Sequence, residues 1–260
     1  MKADKRLGQH FLIDERIARR QVEFASIKPN ETVLEIGPGF GVLTHLLAEK
    51  SNNIIVIEKD RRFCKLLREE MTGIDIIEGD VLKIELPDFD IVVSNLPYQI
   101  SSPITFRLLN RKFARAVLMF QREFAERMTA RQGDAEYSRL SVQVYYRSRA
   151  QIVENIPRSA FYPQPEVESS IVFLKPRSPP FKVNDELLFI KLVDSIFQHR
   201  RKTIENSLPL IWPGFRLNRE SIRDLVSQIG FSGKRAEELK PEEMGLLADA
   251  IATMRGNRFS

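Results

Sequence analysis

The segment "VVSNLPYQIS" contains side chains that could form part of a catalytic or binding site. They belong to Asn95, Pro97 and Tyr98. The amide oxygen of Asn95 can accept a hydrogen bond, and the ring of Tyr98 offers a flat face. An apolar run that is typical of a buried strand, Ile91 to Val93, ends just before them. Proline has no N–H and fixes its own φ, so it is expected at a strand end or in a turn. A simple turn explains these residue types equally well. The neighbouring motifs must therefore decide between a turn and a functional site.

A glycine-rich turn is the second feature, in the segment "VLEIGPGFG". Gly37, Gly39 and Gly41 allow the backbone to turn tightly and to approach a ligand closely. A dinucleotide fingerprint would require glycine at position 42, which is Val42, and the G-K-[ST] of a P-loop is missing. Glu35, two residues before the first glycine, suits a positively charged ligand and would repel a phosphate. The pattern is typical of nucleoside-binding α/β methyltransferases, whose ligand has a sulfonium and an amino acid group.

Two further carboxylates follow the next two predicted strands. Glu58 ends the second strand, where an acid can accept both hydroxyls of a ribose. Asp80 follows the third strand, and its carboxylate can accept a hydrogen bond from the amino group of an adenine. The backbone N–H of Val81 can donate a hydrogen bond to a nitrogen of the same ring. Each acid alone is explained as well by an exposed strand end or a turn. Acids at three successive strand ends beside a glycine turn predict a pocket for S-adenosylmethionine.

This pocket gives each residue of "NLPY" a chemical role. The exocyclic amine of adenine is a poor nucleophile, because its lone pair is delocalised into the ring. The side-chain oxygen of Asn95 and the backbone carbonyl of Leu96 can accept its two hydrogens and aim the nitrogen at the sulfonium methyl. Pro97 fixes both acceptors in advance, and Tyr98 can stack on the extruded base. No strong general base is required, since the proton can leave after the methyl has moved.

Alternation of β-rich and helical segments indicates an α/β fold. Strands are predicted at "TVLEIG", "NIIVIE", "IDII", "DIVVSN" and "AVLMF", with helical patterns between them. This order predicts a mostly parallel, Rossmann-like methyltransferase sheet with helices on both faces. In such sheets ligands bind beyond the carboxyl ends of the strands, which is where each motif falls.

The pattern changes after a last β-rich run, "SSIVFLKP". The proline-rich segment "KPRSPPF" is predicted to be a linker, and the remainder is predicted to be entirely helical. We therefore predict a catalytic domain over 1–176 and a small all-helical RNA-binding domain over 177–260. The first helix of that domain, "DELLFIKLVDSIFQHRRKTIENSL", is predicted to be continuous, with an apolar side formed by Leu187, Ile190, Val193, Phe197 and Ile204.

Composition narrows the class of protein. The chain has 260 residues, 43% hydrophobic and 29% charged, which is ordinary for a globular protein with a real core. The net charge of +5 favours a polyanionic partner, and no metal site is predicted. Cys64 is the single cysteine, which fits a reducing cytoplasm. The chain lacks a run of roughly 18–20 apolar residues that could cross a bilayer, so we expect a cytoplasmic protein without a membrane partner.

The short loop between Asp80 and Asn95 and the segment "FQREFAERM" resemble most closely the archaeal branch of the rRNA adenine dimethyltransferases that act on the small ribosomal subunit. Seven further segments resemble those of this family, in the family's order. They are "LGQHFLID", "EIGPGFG", "IEKD", "EGDVL", "SNLPYQISSPI", "SAFYPQPEVESSIV" and "FQHRRKT". The resemblance implies that Gln9, His10 and Leu12 close over the methionine end of the cofactor. It also implies cofactor contacts that agree with those derived above: Gly37, Glu58, Asp80 and Asn95.

The resemblance further implies the substrate. This is a pair of adjacent adenosines in the 3′-terminal hairpin loop of 16S rRNA, each of which is dimethylated. The expected partner is a pre-30S particle, and the enzyme is expected to be a monomer with a role in 30S biogenesis. Phe161 and Pro163, in the loop "FYPQP", would lie near the target base; a proline-stiffened turn is an equal alternative.

The basic run of "FQHRRKT" is predicted to hold RNA, together with the arginine-rich window from Arg111 to Arg149, on a surface that spans both domains. His199, Arg200, Arg201 and Lys202 are roughly 100° apart around a helix, so two or three of them would face RNA. Alternatively, they merely solvate the helix.

Three other functions are compatible in part with these motifs. An assembly factor whose binding matters more than its catalysis is compatible with these motifs, so the two roles can coexist. A purely non-catalytic descendant would be expected to have lost "NLPY" or the glycine turn, and both are present. A resistance-type enzyme that dimethylates a large-subunit adenine shares the N-terminal motifs but not the "FQHRRKT" block. A dehydrogenase is disfavoured by the spacing of the glycines.

Overall fold

The computed structural model describes residues 10–211 and 219–256. Contacts within the chain define two compact units, Met1–Glu126 with Ser148–Arg177, and Arg127–Arg147 with Ser178–Ser260. Within the described residues, no helix combines the length and the apolar character that crossing a membrane requires.

A seven-stranded sheet forms the centre of the first unit. Its order is β4-β3-β2-β5-β6-β9-β7, and a separate ribbon pairs β1 with β8. Strands β2 to β6 run parallel, whereas β9 is antiparallel to both β6 and β7. The strands are β1 Phe11–Leu12, β2 Thr32–Ile36, β3 Asn53–Glu58, β4 Ile74–Glu78, β5 Ile91–Asn95, β6 Arg115–Gln121, β7 Ser148–Ile156, β8 Phe161–Tyr162 and β9 Ser169–Pro176.

Helices cover this sheet and build the second unit. Several begin at an aspartate whose side chain accepts from a helix N–H, as Asp60 does from the N–H of Arg62 at 3.0 Å. The helices are α1 Glu15–Ala25, α2 Val42–Ala48, α3 Arg61–Glu70, α4 Ser101–Leu109, α5 Arg122–Thr129, α6 Arg139–Arg147, α7 Glu186–Gln198, α8 Ile204–Ile211, α9 Arg219–Gln228 and α10 Pro241–Gly256.

The predicted fold class is confirmed. All five strands predicted for the parallel part of the sheet are present as β2 to β6. The apolar runs of β2, β3, β5 and β6 are mostly buried, whereas the edge strand β4 has no buried residue. The chain order reverses at β2, which has β3 on one side and β5 on the other. Such a reversal opens a crevice at the carboxyl ends of the strands, and ligands bind there.

The second unit has its own apolar core, and it includes a helix from the middle of the chain. In α6, Val142 and Tyr146 are buried in this core, and the ring of Tyr146 lies 4.9 Å from that of Phe189 and 5.0 Å from that of Phe181. The contiguous division into 1–176 and 177–260 therefore differs from the contact pattern, which groups Arg127–Arg147 with the C-terminal residues.

The prediction of one continuous helix over 185–208 is wrong. Helix α7 ends at Gln198 and α8 begins at Ile204. Between them the N–H of Lys202 donates to the carbonyl of His199 at 2.8 Å, which closes a turn. The N–H of Ile204 donates to the carbonyl of Lys234 at 2.8 Å, and Thr203 forms a β-bridge with Arg235. A distant segment thus supplies the backbone partners that a continuous helix would have supplied itself.

The predicted apolar side of that helix needs a second correction. Leu187 was assigned to it, yet its side chain is 74% exposed. The buried face of α7 is rotated from the prediction and consists of Leu188, Phe189, Leu192, Val193 and Ile196.

Candidate active site

A cavity of about 330 Å³ lies at the carboxyl ends of the parallel strands, within the first unit. Its wall brings together most of the residues that the motifs identified. These are His10, Gly37, Gly39, Glu58, Asp80, Val81, Asn95, Leu96, Pro97, Tyr98 and Phe161. Residues as far apart in the chain as His10 and Phe161 thus converge on one space, in large part because parallel strands end at one edge of the sheet.

The glycine turn after β2 requires glycine for two reasons. Gly39 has a φ of +56°, a left-handed conformation that side chains rarely adopt. A Cβ atom at Gly39 would also lie 2.8 Å from the ring of Phe11, which lines the same cavity. The backbone therefore passes closely under the N-terminal ribbon, and the turn is shaped for close approach to a ligand.

Glu58, the last residue of β3, is anchored by the backbone around it. One carboxylate oxygen accepts from the N–H of Asp60 at 2.7 Å, and the other accepts from the N–H of Gly39 at 3.3 Å. Burial raises the pKa of Glu58, and these N–H donors partly counteract that rise. The carboxylate is thus held in a fixed orientation at the cavity wall, with lone pairs left for the hydroxyls of a ribose.

Asp80 is held as an ionised carboxylate. One oxygen accepts from the N–H of Leu82 at 3.0 Å, and the other lies 3.1 Å from the ammonium of Lys59. The N–H of Leu82 and then Lys59 lower the pKa of Asp80. A carboxylate in this state can accept from the amino group of an adenine, next to the backbone of Val81 in the same wall.

Asn95 ends β5 with an unused acceptor. Its Oδ1 is buried and has no hydrogen-bond partner within residues 10–211 and 219–256. Leaving a buried polar atom without a partner costs about 1–3 kcal/mol, so such atoms point to a missing ligand group. Asn95 is one of the residues that line the cavity, where a donor such as an exocyclic amine would satisfy this oxygen.

Tyr98 begins a single 3₁₀ turn directly after Pro97. Its hydroxyl lies 2.6 Å from the hydroxyl of Ser169, and its ring is stacked on that of His10 with centroids 5.7 Å apart. His10 in turn donates from Nδ1 to the carbonyl of Pro163 at 2.7 Å. The ring of Tyr98 is therefore fixed at both ends, and this arrangement presents a pre-set aromatic face to the cavity.

Two buried side chains that the sequence analysis missed hold the end of β5 in place. The hydroxyl of Ser94 donates to the carbonyl of Ile36 at 2.6 Å, just where β2 and β5 separate. The amide of Gln21, in α1, donates to the carbonyls of Ser94 at 3.2 Å and Val117 at 3.3 Å. These bonds connect the strand before the glycine turn to the strand that ends in Asn95.

Arg107 was also missed, and it holds the loop after β4. From α4 it donates to the carbonyl of Val81 at 2.5 Å and to the carbonyl of Ile84. Helix α4 begins three residues after Tyr98. The helix that follows "NLPY" thus fixes the loop that follows Asp80.

Four predicted contact residues do not border the cavity in the described part of the chain, and Gln9 lies outside that part. Leu12 is in the hydrophobic core, Gly41 is the N-cap of α2, and Pro163 contributes its carbonyl to His10 instead. Glu35 is buried, and burial raises the pKa of its carboxyl group to about 8. The charge of Glu58 also raises this pKa, whereas a hydrogen bond with the side chain of Thr44 lowers it. It is therefore neutral at pH 7, which does not support its assignment as a negative charge facing the cofactor.

The basic run between α7 and α8 lies in a turn, so its predicted helical spacing is wrong. Arg201 and Lys202 line a second cavity, of about 450 Å³, within the second unit. Arg219 and Arg223, from α9, lie in the same wall. Arg200 instead pairs with Glu237 at 3.0 Å. The cavity thus gathers four cations and one carboxylate, Glu205, and this excess of positive charge favours an anion such as phosphate.

Comparison with known proteins identifies the chain. The model of the family described as ribosomal RNA adenine dimethylase matches residues 1–238. The chain belongs to the ribosomal RNA adenine dimethylase family. Members of this family are S-adenosylmethionine-dependent rRNA adenine dimethyltransferases, and this enzyme shares that activity and cofactor. The glycine turn, the anchored Glu58 and Asp80, and the orphaned oxygen of Asn95 fit a methyl-donor nucleoside on one side and an amine on the other.

Relatives of similar length support this assignment. A protein of Thermococcus onnurineus named ribosomal RNA small subunit methyltransferase A is 45% identical over 251 residues, which cover 94% of this chain and 90% of the relative. A protein of Methanosarcina mazei with the same name is 43% identical over 256 residues, covering 96% and 94%. Both relatives are archaeal, as the sequence motifs predicted.

Solved structures agree. A dimethyladenosine transferase from Plasmodium falciparum superposes with a TM-score of 0.82 at 30% identity, covering 95% of this chain and 98% of that one. The 23S rRNA methyltransferase ErmE superposes with a TM-score of 0.68 at 28% identity, covering 93% and 99%. The enzyme therefore has the fold of adenine dimethyltransferases over nearly its whole length.

Glu58 provides a direct test of the cofactor site. We expect Glu58→Ala to weaken S-adenosylmethionine binding by roughly tenfold or more, because hydrogen bonds to a charged group contribute about 1.5–3 kcal/mol. Isothermal titration calorimetry measures this change. Glu78→Ala is the matched control, since Glu78 is opposite Glu58 in register on β4 and pairs with Arg61. Equal affinities for wild type and Glu58→Ala would remove Glu58 from the site.

Proposed function

We propose that this enzyme dimethylates the 6-amino groups of two adjacent adenosines in the 3′-terminal hairpin loop of small-subunit rRNA. The observation that carries the chemistry is that Asn95 lines the cavity and that its buried Oδ1 has no hydrogen-bond partner among the described residues. The choice of subunit is supported by the archaeal relatives, which are named for the small subunit. The higher structural similarity to a dimethyladenosine transferase than to a 23S rRNA enzyme supports the same choice.

In the proposed mechanism the protein positions two reactants. Glu58 would accept hydrogen bonds from the ribose hydroxyls of the cofactor, and Asp80 would accept one from its adenine amino group. The bound cofactor supplies an electrophilic methyl group on a sulfonium. Asn95 and the carbonyl of Leu96 accept the two hydrogens of the target amine, which turns its lone pair toward that methyl. Positioning and preorganised acceptors of this kind account for much of enzymatic catalysis.

Aromatic residues hold the target base in this proposal. The base leaves the RNA stack and lies against the ring of Tyr98, which Ser169 and His10 already orient. Phe161, which is buried and lines the same cavity, is available for its other face. Pro97 has a φ of −57° and a ψ of 126°, and it fixes the chain between the acceptors and the ring.

We further propose that the enzyme acts as a monomer in the cytoplasm on a pre-30S particle. A role in 30S biogenesis is compatible with catalysis, because binding to such a particle precedes methyl transfer.

Mapping dimethylated adenines tests the proposed function. In cells that lack the gene, we expect two adjacent adenines near the 3′ end of small-subunit rRNA to lose both methyl groups. Complementation with the wild-type gene should restore them, whereas the Asn95→Ala gene should not. Restored growth with Asn95→Ala would separate an assembly role from catalysis. Dimethylation that appears only in large-subunit rRNA would overturn the choice of substrate.

The second cavity provides a test of RNA binding. We expect Arg201→Ala with Lys202→Ala to weaken binding to small-subunit particles and to reduce the slope of log affinity against log salt by about 2, because each lost phosphate contact removes about 1. Filter binding at several salt concentrations measures this slope. Lys182→Ala with Lys191→Ala is a matched control, since both lysines are exposed in the same unit but outside this cavity.

Cofactor affinity should stay at the wild-type value in both double variants. If the salt slope of Arg201→Ala with Lys202→Ala equals that of the lysine control, this cavity does not hold RNA.

A further inference from the structure

The ribbon of β1 and β8 carries an exposed aromatic residue beside the active-site cavity. Phe161 and Tyr162 are neighbours in β8, yet Phe161 is 5% exposed and Tyr162 is 69% exposed. Side chains alternate between the two faces of a strand, which explains the contrast. Phe161 contributes to the cavity wall, while Tyr162 presents a large aromatic ring to solvent.

The register of the ribbon pairs Tyr162 with a residue of the cavity wall. Tyr162 is opposite Phe11, so their side chains share one face of the ribbon. Phe11 lines the cavity, and its ring packs on those of Phe40 at 4.6 Å and Phe63 at 5.4 Å. The exposed ring of Tyr162 therefore continues an aromatic surface that begins inside the cavity.

Other exposed apolar side chains of the first unit lie in the same region. Within residues 10–211 and 219–256, that unit exposes three large apolar side chains, and each is on this ribbon or in the segments that adjoin it. They are Ile13, Tyr162 and Val167. Single exposed apolar residues are common on any surface, but three in or beside one short ribbon that borders a cavity indicate a contact surface.

The ribbon is held rigidly enough to present this ring. The N–H of Ile13 donates to the carbonyl of Ala160 at 2.9 Å, which extends the pairing beyond the two strands. His10 donates to the carbonyl of Pro163 at 2.7 Å, directly after Tyr162. Arg158 donates to the carbonyl of Glu166 at 3.2 Å and closes the following loop. A ring on such a support loses little freedom when a ligand stacks on it.

We propose that Tyr162 stacks on the unpaired base next to the target adenosine in the RNA. The proposal rests on the proposed function, because it requires an RNA whose target base has entered the cavity. A base that leaves its stack exposes a face of its neighbour, and that neighbour stays within one nucleotide of the cavity mouth. Aromatic side chains are common stacking partners for such unpaired RNA bases. Tyr162 thus positions the RNA, whereas Asn95 and Tyr98 contact the reacting base.

A fluorescent RNA tests this contact without methyl transfer. The probe is a hairpin RNA with two adjacent loop adenines and 2-aminopurine in place of the nucleotide beside them, bound in the presence of S-adenosylhomocysteine. We expect wild type to quench the 2-aminopurine by stacking. Tyr162→Ala should lose this quenching and bind the RNA roughly 5- to 100-fold more weakly. Tyr162→Phe should behave as wild type, because it keeps the ring.

Two controls separate stacking from structure. Leu246→Ala removes a similarly exposed apolar side chain from the second unit and should change neither readout. Affinity for S-adenosylhomocysteine, measured by calorimetry, should be the same for wild type and Tyr162→Ala. A loss of that affinity in proportion to the loss of RNA affinity would show that Tyr162 only supports the ribbon, and would overturn the proposal.

Three further outcomes would also overturn it: wild-type quenching by Tyr162→Ala, weaker RNA binding with unchanged quenching, or a Tyr162→Phe variant as weak as Tyr162→Ala. If wild type methylates no small-subunit adenine, the proposed function fails, but the quenching experiment still decides whether Tyr162 stacks on a base.

Discussion

Asn95→Ala is expected to lower the rate of methyl transfer to rRNA by roughly 10²–10³. The substitution removes the oxygen that is preorganised to accept a hydrogen of the target amine, and it leaves that amine less well aimed at the methyl group. The fold should be retained, because Oδ1 has no hydrogen-bond partner in the described part of the chain. Single-turnover transfer from labelled S-adenosylmethionine to unmethylated small-subunit particles measures the rate.

Two variants make this test specific. Asn95→Asp keeps an acceptor oxygen at the same place, so it should retain more activity than Asn95→Ala. Asn53→Ala makes the same change at the exposed start of β3, at the opposite edge of the sheet, and should leave the rate unchanged. Particle binding should be similar in all three variants. Near-normal turnover by Asn95→Ala would contradict the positioning mechanism.

The parallel part of the fold could be predicted because its strands are continuous apolar runs. Strand β5, for example, is buried along Ile91 to Ser94 and ends where the prediction ended it. Strand β7 was missed because its residues, "SRAQIVENI", are mostly polar and half-buried, without a continuous apolar run. The two-residue strands β1 and β8 are too short to produce any periodicity, and only their pairing in the fold reveals them.

The break between α7 and α8 could not be read from the sequence, because the apolar spacing continues across it. Phe197 and Ile204 are seven residues apart, which is the spacing of two helical turns. What ends α7 is a contact with a distant segment, since the N–H of Ile204 bonds to the carbonyl of Lys234. A local pattern carries no information about such a partner, so the basic run was placed on a helix rather than in a turn.

The residues of the active site likewise include some that the sequence predicted and some that it did not. Glu58, Asp80 and Asn95 were found because the ends of parallel strands must meet. Ser94, Gln21 and Arg107 were missed because they bond to backbone carbonyls, and only the fold determines which carbonyls lie within reach. Most residues that line the cavity were thus predictable from their motifs, whereas the residues that hold those motifs in place were not.

Glu35 shows most clearly how burial can change the role that a motif predicts. Its carboxyl group is almost completely buried, and one of its oxygens has no hydrogen-bond partner in residues 10–211 and 219–256. Burial disfavours the charged form and raises its pKa from 4.5 to about 8. In the unfolded chain the same group is exposed to water and ionises near its ordinary value.

This difference makes the stability of the protein depend on pH. Between about pH 4.5 and pH 8 the folded state keeps a proton on Glu35 that the unfolded state releases. Stability therefore is greatest below the unfolded pKa and falls as pH rises through this range, by up to about 1.4 kcal/mol per pH unit from this group alone. Glu58, whose pKa is also raised by burial, contributes a slope of the same sign.

We expect Glu35→Gln to flatten the fall in stability between pH 5 and pH 8, because glutamine is neutral at every pH. Urea unfolding at unit pH steps, followed by circular dichroism, measures the free energy of unfolding. Glu31→Gln is the contrasting control: Arg115 lowers the pKa of Glu31, so its contribution is constant above pH 5 and is lost only in acid. If Glu35→Gln and wild type lose stability in parallel from pH 5 to pH 8, Glu35 is ionised in the folded protein, and a negative charge behind the glycine turn would again be available to a cationic cofactor.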